Sequence, residues 1–268
     1  MNRKIGFIGS GNMGGAMIGG IIRAELVPGK NILVSDICES SLEKVRENYG
    51  VSVTIDNKEV ARECDMIVLS VKPQLYSIVI NEIKDLVRDD FIIIAIAAGQ
   101  SSEAVKALFG RDLKVVKVMP NTPALVGEAM AAISPDAKMT KEETDDVVAI
   151  FDSFGKSEIV AEKLMDAVTA VSGSSPAYVY MFIEAMADAA VIEGMPRAQA
   201  YKFAAQAVLG SAKMVLETGK HPGELKDMVC SPGGTTIEAV AKLEETGFRS
   251  SVMQAMKACA DKSRDMSK

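Results

Sequence analysis

The chain has 268 residues, 48% apolar and 25% charged, which suits a soluble globular protein with room for two domains. Its net charge of −6 argues against non-specific nucleic-acid binding and against docking on an acidic membrane face. Four widely spaced cysteines and a single histidine exclude a zinc site or a disulfide framework.

Residues 2–4 form a charged start, but no cleavable apolar stretch follows. The longest apolar run, residues 91–98, is far too short to span a bilayer and reads as a buried strand. A cytoplasmic protein is expected. Residues 4–8 read as a first strand, followed by Gly9-Ser10-Gly11-Asn12-Met13-Gly14 and a helix through Ile22. This is GxGxxG in its required setting, after a strand and before a helix. Gly9 permits the tight turn, Gly11 lets the backbone approach a pyrophosphate, and Gly14 lets the helix pack on the strand. The helix start offers its free N–H groups to the phosphates.

A second strand over residues 32–35 ends at Asp36, about where the fingerprint expects an acidic contact to a ribose hydroxyl. Asp36 by itself points to NAD, since a carboxylate repels a 2′-phosphate. Ser35 could donate to that phosphate, however, and Asn57 could lie near the adenosine, so NADH and NADPH both stay open. A helix over 40–49 follows, then strands over 66–71, 91–97, 114–119 and 129–133, with a helix over 75–87 after the third strand. Short β-branched runs separated by amphipathic helices predict an α/β fold over residues 1–160, a doubly wound parallel sheet of the Rossmann type. Three strand-end loops line one crevice: Val71-Lys72-Pro73, Ala97-Ala98-Gly99 and Met119-Pro120-Asn121-Thr122-Pro123. Singly, Lys72 reads as a surface charge and Asn121 and Thr122 as turn caps. Their shared rim favours cofactor binding.

Past residue 160 strand-like runs stop, and residues 161–268 read as an all-helical second domain. Met181, Phe182, Ala185, Met186, Ala189, Ala190 and Ile192 make one wide apolar face; Phe203, Ala207, Val208, Ala212 and Val215 make the next. Such faces need covering, by a helical core or, the reading favoured here, partly by another subunit. Pro196 and the His221-Pro222 pair read as helix entries. Then comes Cys230-Ser231-Pro232-Gly233-Gly234-Thr235-Thr236-Ile237-Glu238, a Pro-Gly-Gly bend flanked by hydroxyls and followed by a helical pattern. It reads as a helix cap or as a cradle of N–H groups and hydroxyls for a small carboxylate or phosphate. The cofactor loop elsewhere in the chain favours the cradle.

An alcohol substrate calls for a positioned base such as Lys or His. The helical half offers few: His221 sits at a helix entry, and no lysine follows in the first three turns after Ser172-Gly173-Ser174-Ser175-Pro176. A protonated imine is already an electrophile and needs orientation more than a base.

Together the glycine loop, Val71-Lys72-Pro73, Met119-Pro120-Asn121-Thr122-Pro123, the run 171–178 and the run 224–244 make the chain resemble pyrroline-5-carboxylate reductases over essentially its whole length. The resemblance implies reduction of 1-pyrroline-5-carboxylate to L-proline with NADH or NADPH, the last step of proline biosynthesis. It also implies a helical C-terminal domain forming interlocked homodimers, often assembled into a decamer. By the same resemblance Gly9, Gly11, Asn12, Met13 and Gly14 hold the pyrophosphate, and Ser35, Asn57 and Lys72 lie along the nucleotide. Ala97, Ala98, Asn121 and Pro123 sit near the nicotinamide. Ser231, Gly233, Gly234, Thr235 and Thr236 hold the substrate carboxylate, with Thr236 the proton donor. Two alternatives stand beside this reading: a hydroxyacid dehydrogenase, whose long helix would carry a catalytic lysine that residues 177–184 lack, and a non-catalytic nucleotide sensor.

Overall fold

A computed structural model describes residue 1 and residues 3–266. Asn2 of the charged start and residues 267–268 of the expected helical domain lie outside the described residues. The chain forms two compact units, residues 1–174 together with the stretch from 259 onward, and residues 175–258. The division expected after residue 160 directly follows the last strand, which ends at Ile159, and the first unit continues past it through a short helical stretch to Ser174.

In the first unit β1 (Ile5–Ile8), β2 (Ile32–Ser35), β3 (Ser52–Thr54), β4 (Met66–Leu69), β5 (Ile92–Ala95), β6 (Lys114–Met119), β7 (Ala129–Ser134) and β8 (Gly155–Ile159) form one sheet. Its order is β3-β2-β1-β4-β5-β6-β7-β8. Both faces are covered, which is why the central strands read as unbroken apolar runs. Ile5, Phe7, Val34, Val68 and Ile94 point to one layer, against Met17, Ile18 and Ile21 of α1 (Asn12–Arg23). Ile8, Leu33, Ile67, Leu69 and Ile93 point to the other. There they meet α3 (Asn57–Glu63), α4 (Tyr76–Ile83) and α5 (Ser102–Phe109) through Val60, Tyr76, Ile80 and Val105. Between these helices and after them come α2 (Glu39–Tyr49), α6 (Lys141–Asp152) and α7 (Met165–Val168). Side chains set several helix starts: Asp56 accepts from the Lys58 amide at α3, and Thr140 and Glu143 form a reciprocal capping box at α6.

Two expectations are corrected. The sheet is not wholly parallel, because β7 runs antiparallel to β6. Only a short 3₁₀ turn, Thr122–Val126, joins them, and parallel neighbours need a much longer crossover. The sheet also has two strands beyond the six expected, β3 and β8, one at each edge. Ser52–Thr54 is three residues long, and Gly155–Ile159 (GKSEI) is largely polar and exposed, so neither carries an apolar run.

The second unit holds α8 (Ser175–Ile192), α9 (Arg197–Thr218), α10 (Pro222–Val229), α11 (Thr235–Glu245) and the first part of α12 (Phe248–Met266). Pro196 and His221 are helix caps, the latter accepting from the Gly223 amide through Nδ1 at 3.0 Å. Among the described residues, Ala187, Ala200 and Ala204 alone are fully buried in this unit. Tyr180, Met181, Phe182, Leu209 and Leu216 are exposed on the chain by itself. No helix among the described residues is long and apolar enough to cross a membrane.

Candidate active site

A first candidate site lies where the strand order reverses, between β1 and β4, the usual ligand crevice of an open α/β sheet. β1 delivers the chain to Gly9 at φ +103°, a conformation that disfavours any side chain. A Cβ at Gly9 would also lie 2.7 Å from the Ser70 carbonyl oxygen. A Cβ at Gly14 would run into the Gly9 carbonyl oxygen and meet Ser70 Oγ at 3.1 Å. Gly11 differs, since nothing lies within 4 Å of where its Cβ would be. Gly11 is the N-cap of α1 and makes no side-chain cap, so the first N–H groups of the helix are left for a ligand. Asn12 is exposed at that start, while Met13 turns toward the core. The Ser70 hydroxyl donates to the Gly9 carbonyl at 2.6 Å and fixes the turn from β4.

Asp36 sits at the end of β2 and reaches back to this loop. Its Oδ2 accepts from both the amide and the hydroxyl of Ser10, and its Oδ1 accepts from the Cys38 amide at 2.9 Å. Partial burial alone would raise its pKa, but the hydrogen bonds from Ser10 and Cys38 outweigh it and hold the carboxylate below its ordinary range. Ser35 is fully buried, and its hydroxyl donates to Asn57 Oδ1 at 2.7 Å. Ser35 borders the same crevice as Gly9, Gly11 and Asp36, and its hydroxyl proton goes to Asn57 there. Asn57 in turn donates from Nδ2 to Glu82 of α4 at 2.7 Å. Asp36, Asn57, Lys72 and Glu82 line one crevice with Gly9, Gly11 and Val71.

The other rim residues are placed as follows. Lys72 is exposed and Pro73 opens the 3₁₀ turn that leads into α4. Ala97 is buried just beyond β5, and Ala98 and Gly99 are half-buried. The Ala97 amide donates to the Tyr76 hydroxyl at 3.2 Å, and its carbonyl accepts from the Lys117 ammonium. Asn121 is buried; its Nδ2 donates to the Ser172 carbonyl at 3.0 Å and its Oδ1 accepts from the Met130 amide at 2.9 Å. Most of that side chain is thus spent holding the end of β6 to β7 and to the 169–173 turn. Pro123 is the second residue of the turn Thr122–Val126, whose Leu125 lines a pocket with Ser10, Gly11 and Asn12 of the glycine loop. Ser10, Ser70, Glu82 and Leu125 were not found from sequence. Their roles rest on partners in other elements, and no motif marks them.

A second candidate site belongs to the helical unit. Gly233 is at φ +65°, and a Cβ at Gly234 would run into the Ser231 hydroxyl. The Gly234 amide donates to the Ser231 carbonyl at 3.0 Å, closing the bend. Gly234 is the N-cap of α11 and makes no side-chain cap, so the cap role expected of this segment falls to a glycine. Thr235 and Thr236 occupy the first turn, Thr235 exposed and Thr236 half-buried. Their hydroxyls are not used as the cap, and the first N–H groups of α11 lack intrahelical acceptors. Such a helix start suits an anion.

A doubly wound sheet, a glycine loop locked for dinucleotide phosphates and an acidic residue closing the second strand define a nicotinamide-dinucleotide-dependent oxidoreductase. Residues 4–99 match the family described as NADP oxidoreductase, coenzyme F420-dependent, and residues 162–266 match that described as pyrroline-5-carboxylate reductase dimerisation. The chain is 52% identical to the pyrroline-5-carboxylate reductase of Escherichia coli over 269 residues, covering 100% of both. The solved pyrroline-5-carboxylate reductase of Coxiella burnetii superposes with a TM-score of 0.94 at 31% identity, covering 100% of each chain. The Plasmodium falciparum pyrroline carboxylate reductase, solved with NADP bound, gives 0.90 at 35% identity, covering 100% of this chain and 99% of that one. The chain belongs to the pyrroline-5-carboxylate reductase family.

Proposed function

We propose that this chain reduces 1-pyrroline-5-carboxylate to L-proline with a reduced nicotinamide dinucleotide, the last step of proline biosynthesis. The observation that carries the reading is full-length identity of 52% to a reductase of that name, in a chain whose glycine loop is built for dinucleotide phosphates. The bound dinucleotide supplies a hydride to the carbon of the C=N bond. Everything else falls to the protein. In this reading the loop of Gly9, Gly11, Asn12, Met13 and Gly14 holds the pyrophosphate at the start of α1. Val71, Lys72 and Pro73 lie along the nucleotide, and Ala97, Ala98, Gly99, Asn121 and Pro123 border the nicotinamide. Ser231, Gly233, Gly234, Thr235 and the N–H groups opening α11 grip the substrate carboxylate. The Thr236 hydroxyl delivers the proton that the ring nitrogen takes up as its C=N bond is reduced.

Of the two dinucleotides, NADH is the better match. Asp36 and Glu82 place two carboxylates in the crevice beside β2, where a 2′-phosphate would meet repulsion, and the Ser35 hydroxyl proton goes to Asn57. The functional division follows residue 160, with residues 161–268 binding substrate and pairing subunits. The chain is a homo-oligomer built through that helical half, and a decamer built of such dimers is the assembly proposed. Four free thiols suit a reducing compartment, and the cytoplasm is the proposed location. Mixing the purified protein with pyrroline-5-carboxylate and either cofactor tests the whole reading. Absorbance of the reduced nicotinamide falls, faster with NADH; no loss from either cofactor overturns the function, and a faster loss with NADPH overturns the preference.

A further inference from the structure

Lys117 is a buried charge that the reaction above does not use. It lies in β6 opposite Ala95 of β5, between Val115 and Met119 on one face of the sheet, and is 3% exposed. Its side chain runs toward the C-terminal edge and donates to the Ala97 carbonyl. Ala97 is the residue at which the chain leaves β5 for the crevice rim. The other side of the same residue is held as firmly. Tyr76 of α4, 1% exposed, accepts from the Ala97 amide at 3.2 Å and donates its own proton to the Leu69 carbonyl at 2.9 Å. One residue at the strand end is therefore gripped from the neighbouring strand on one side and from a covering helix on the other. A buried ammonium is costly to keep, and a sheet face lined by Val115 and Met119 would accept an apolar residue here.

We propose that Lys117 and Tyr76 are positioning residues that fix the Ala97 peptide, and through it the Ala97-Ala98-Gly99 wall against which the nicotinamide is held for hydride transfer. The inference rests on the reading of that loop as the nicotinamide wall. Neither residue touches the reacting atoms. Each acts through the backbone, and hydride transfer is sensitive to displacements of an ångström or less in what orients the reactants. Glu162 and Asp166, which face the ammonium across the adjoining cavity, keep partners of their own. Glu162 accepts from the Ser102 amide at 2.7 Å and Asp166 from the Ser263 hydroxyl at 2.6 Å. The Ala97 carbonyl remains the neutral acceptor at the end of the lysine.

The test compares Lys117→Met, Lys117→Arg and Tyr76→Phe with the wild-type enzyme, by steady-state kinetics and by amide hydrogen exchange of the segment 95–101 without ligands. Lys117→Met and Tyr76→Phe should lower kcat about tenfold or more, with KM for the substrate and the dissociation constant of the dinucleotide changed by less than about threefold. The same two variants should exchange the 97–99 amides faster, whereas Lys117→Arg restores both kcat and protection. Exchange and kcat at wild-type values in both Lys117→Met and Tyr76→Phe overturn the proposal, as does a fall in thermal stability alone. If Lys117→Met does not fold, Tyr76→Phe, which removes a single oxygen, decides. A wild-type enzyme that oxidises no cofactor defeats the functional reading, a result distinct from variants that turn over as the wild type does.

Discussion

Asp36 Oδ2 receives two hydrogen bonds from Ser10, one from its amide and one from its hydroxyl, each at 2.7 Å. The residue expected to read the ribose thus also ties the second strand to the glycine loop. Hydrogen bonds to a charged group contribute about 1.5–3 kcal/mol each, so the tie is a substantial part of loop order. Asp36→Ser should therefore do two things. It should lower kcat/KM with NADH, and it should shift the NADPH-to-NADH ratio of kcat/KM toward NADPH. An unchanged ratio would show that position 36 orders the loop without reading the sugar.

Gly11 and Gly14 should separate folding from binding. Gly14→Ala forces a methyl group into the Gly9 carbonyl, an overpacking that costs roughly 1–3 kcal/mol or more. Thermal unfolding should show the loss. Gly11→Ala meets nothing in the protein, so its melting temperature should stay at the wild-type value while dinucleotide affinity drops. Equal losses of stability in the two variants would contradict the open face assigned to Gly11.

Thr236→Ala should lower kcat by about 10²–10⁴-fold, the usual contribution of a positioned proton donor. Dinucleotide affinity should hold. Because Gly234 rather than a threonine caps α11, stability should change by less than about 0.5 kcal/mol. Turnover equal to wild type would remove Thr236 from the chemistry, and a large fall in stability would assign it to the cap.

Lys117 should make stability depend on pH. Burial pulls its ammonium down from 10.5 to about 8, an effect only partly offset by Glu162 and Asp166. Between those two values the unfolded chain binds the extra proton, so stability rises as pH rises. The gain across the window is on the order of a few kcal/mol. Denaturant midpoints measured from pH 7.5 to 10.5 should climb in the wild type and lose most of that slope in Lys117→Met. Parallel curves would place the lysine in contact with water.

Much of this was legible in the chain. The glycine loop carries its instructions locally, since the needs of Gly9 and Gly14 arise from a turn and a close approach a few residues long. The central strands are apolar on both faces and announce themselves. What was not legible depends on partners distant in sequence. The Ser35 hydroxyl is bonded by Asn57, which is itself held by Glu82, a chain spanning three elements. The direction of β7 was hidden because a period-2 pattern is identical in either orientation. β8 was hidden because its side chains are mostly polar. Lys117 sits in a strand reading KVVKVM, where nothing distinguishes the fully buried lysine from the half-buried one that pairs with Glu143.

Three alanines are all that residues 175–258 bury fully in the chain by itself, among the described residues. Large apolar side chains such as Met181, Phe182, Phe203 and Leu216 stay exposed there, and covering them is what association would add to the packing. For these helices, folding and association should then be linked, so that stability depends on protein concentration as well as on temperature. Dilution acts as a denaturant, and the melting temperature climbs with each tenfold increase in concentration. A substitution on the apolar face of α8 or α9 would be felt first as a loss of activity at low enzyme concentration, recovered simply by adding more enzyme.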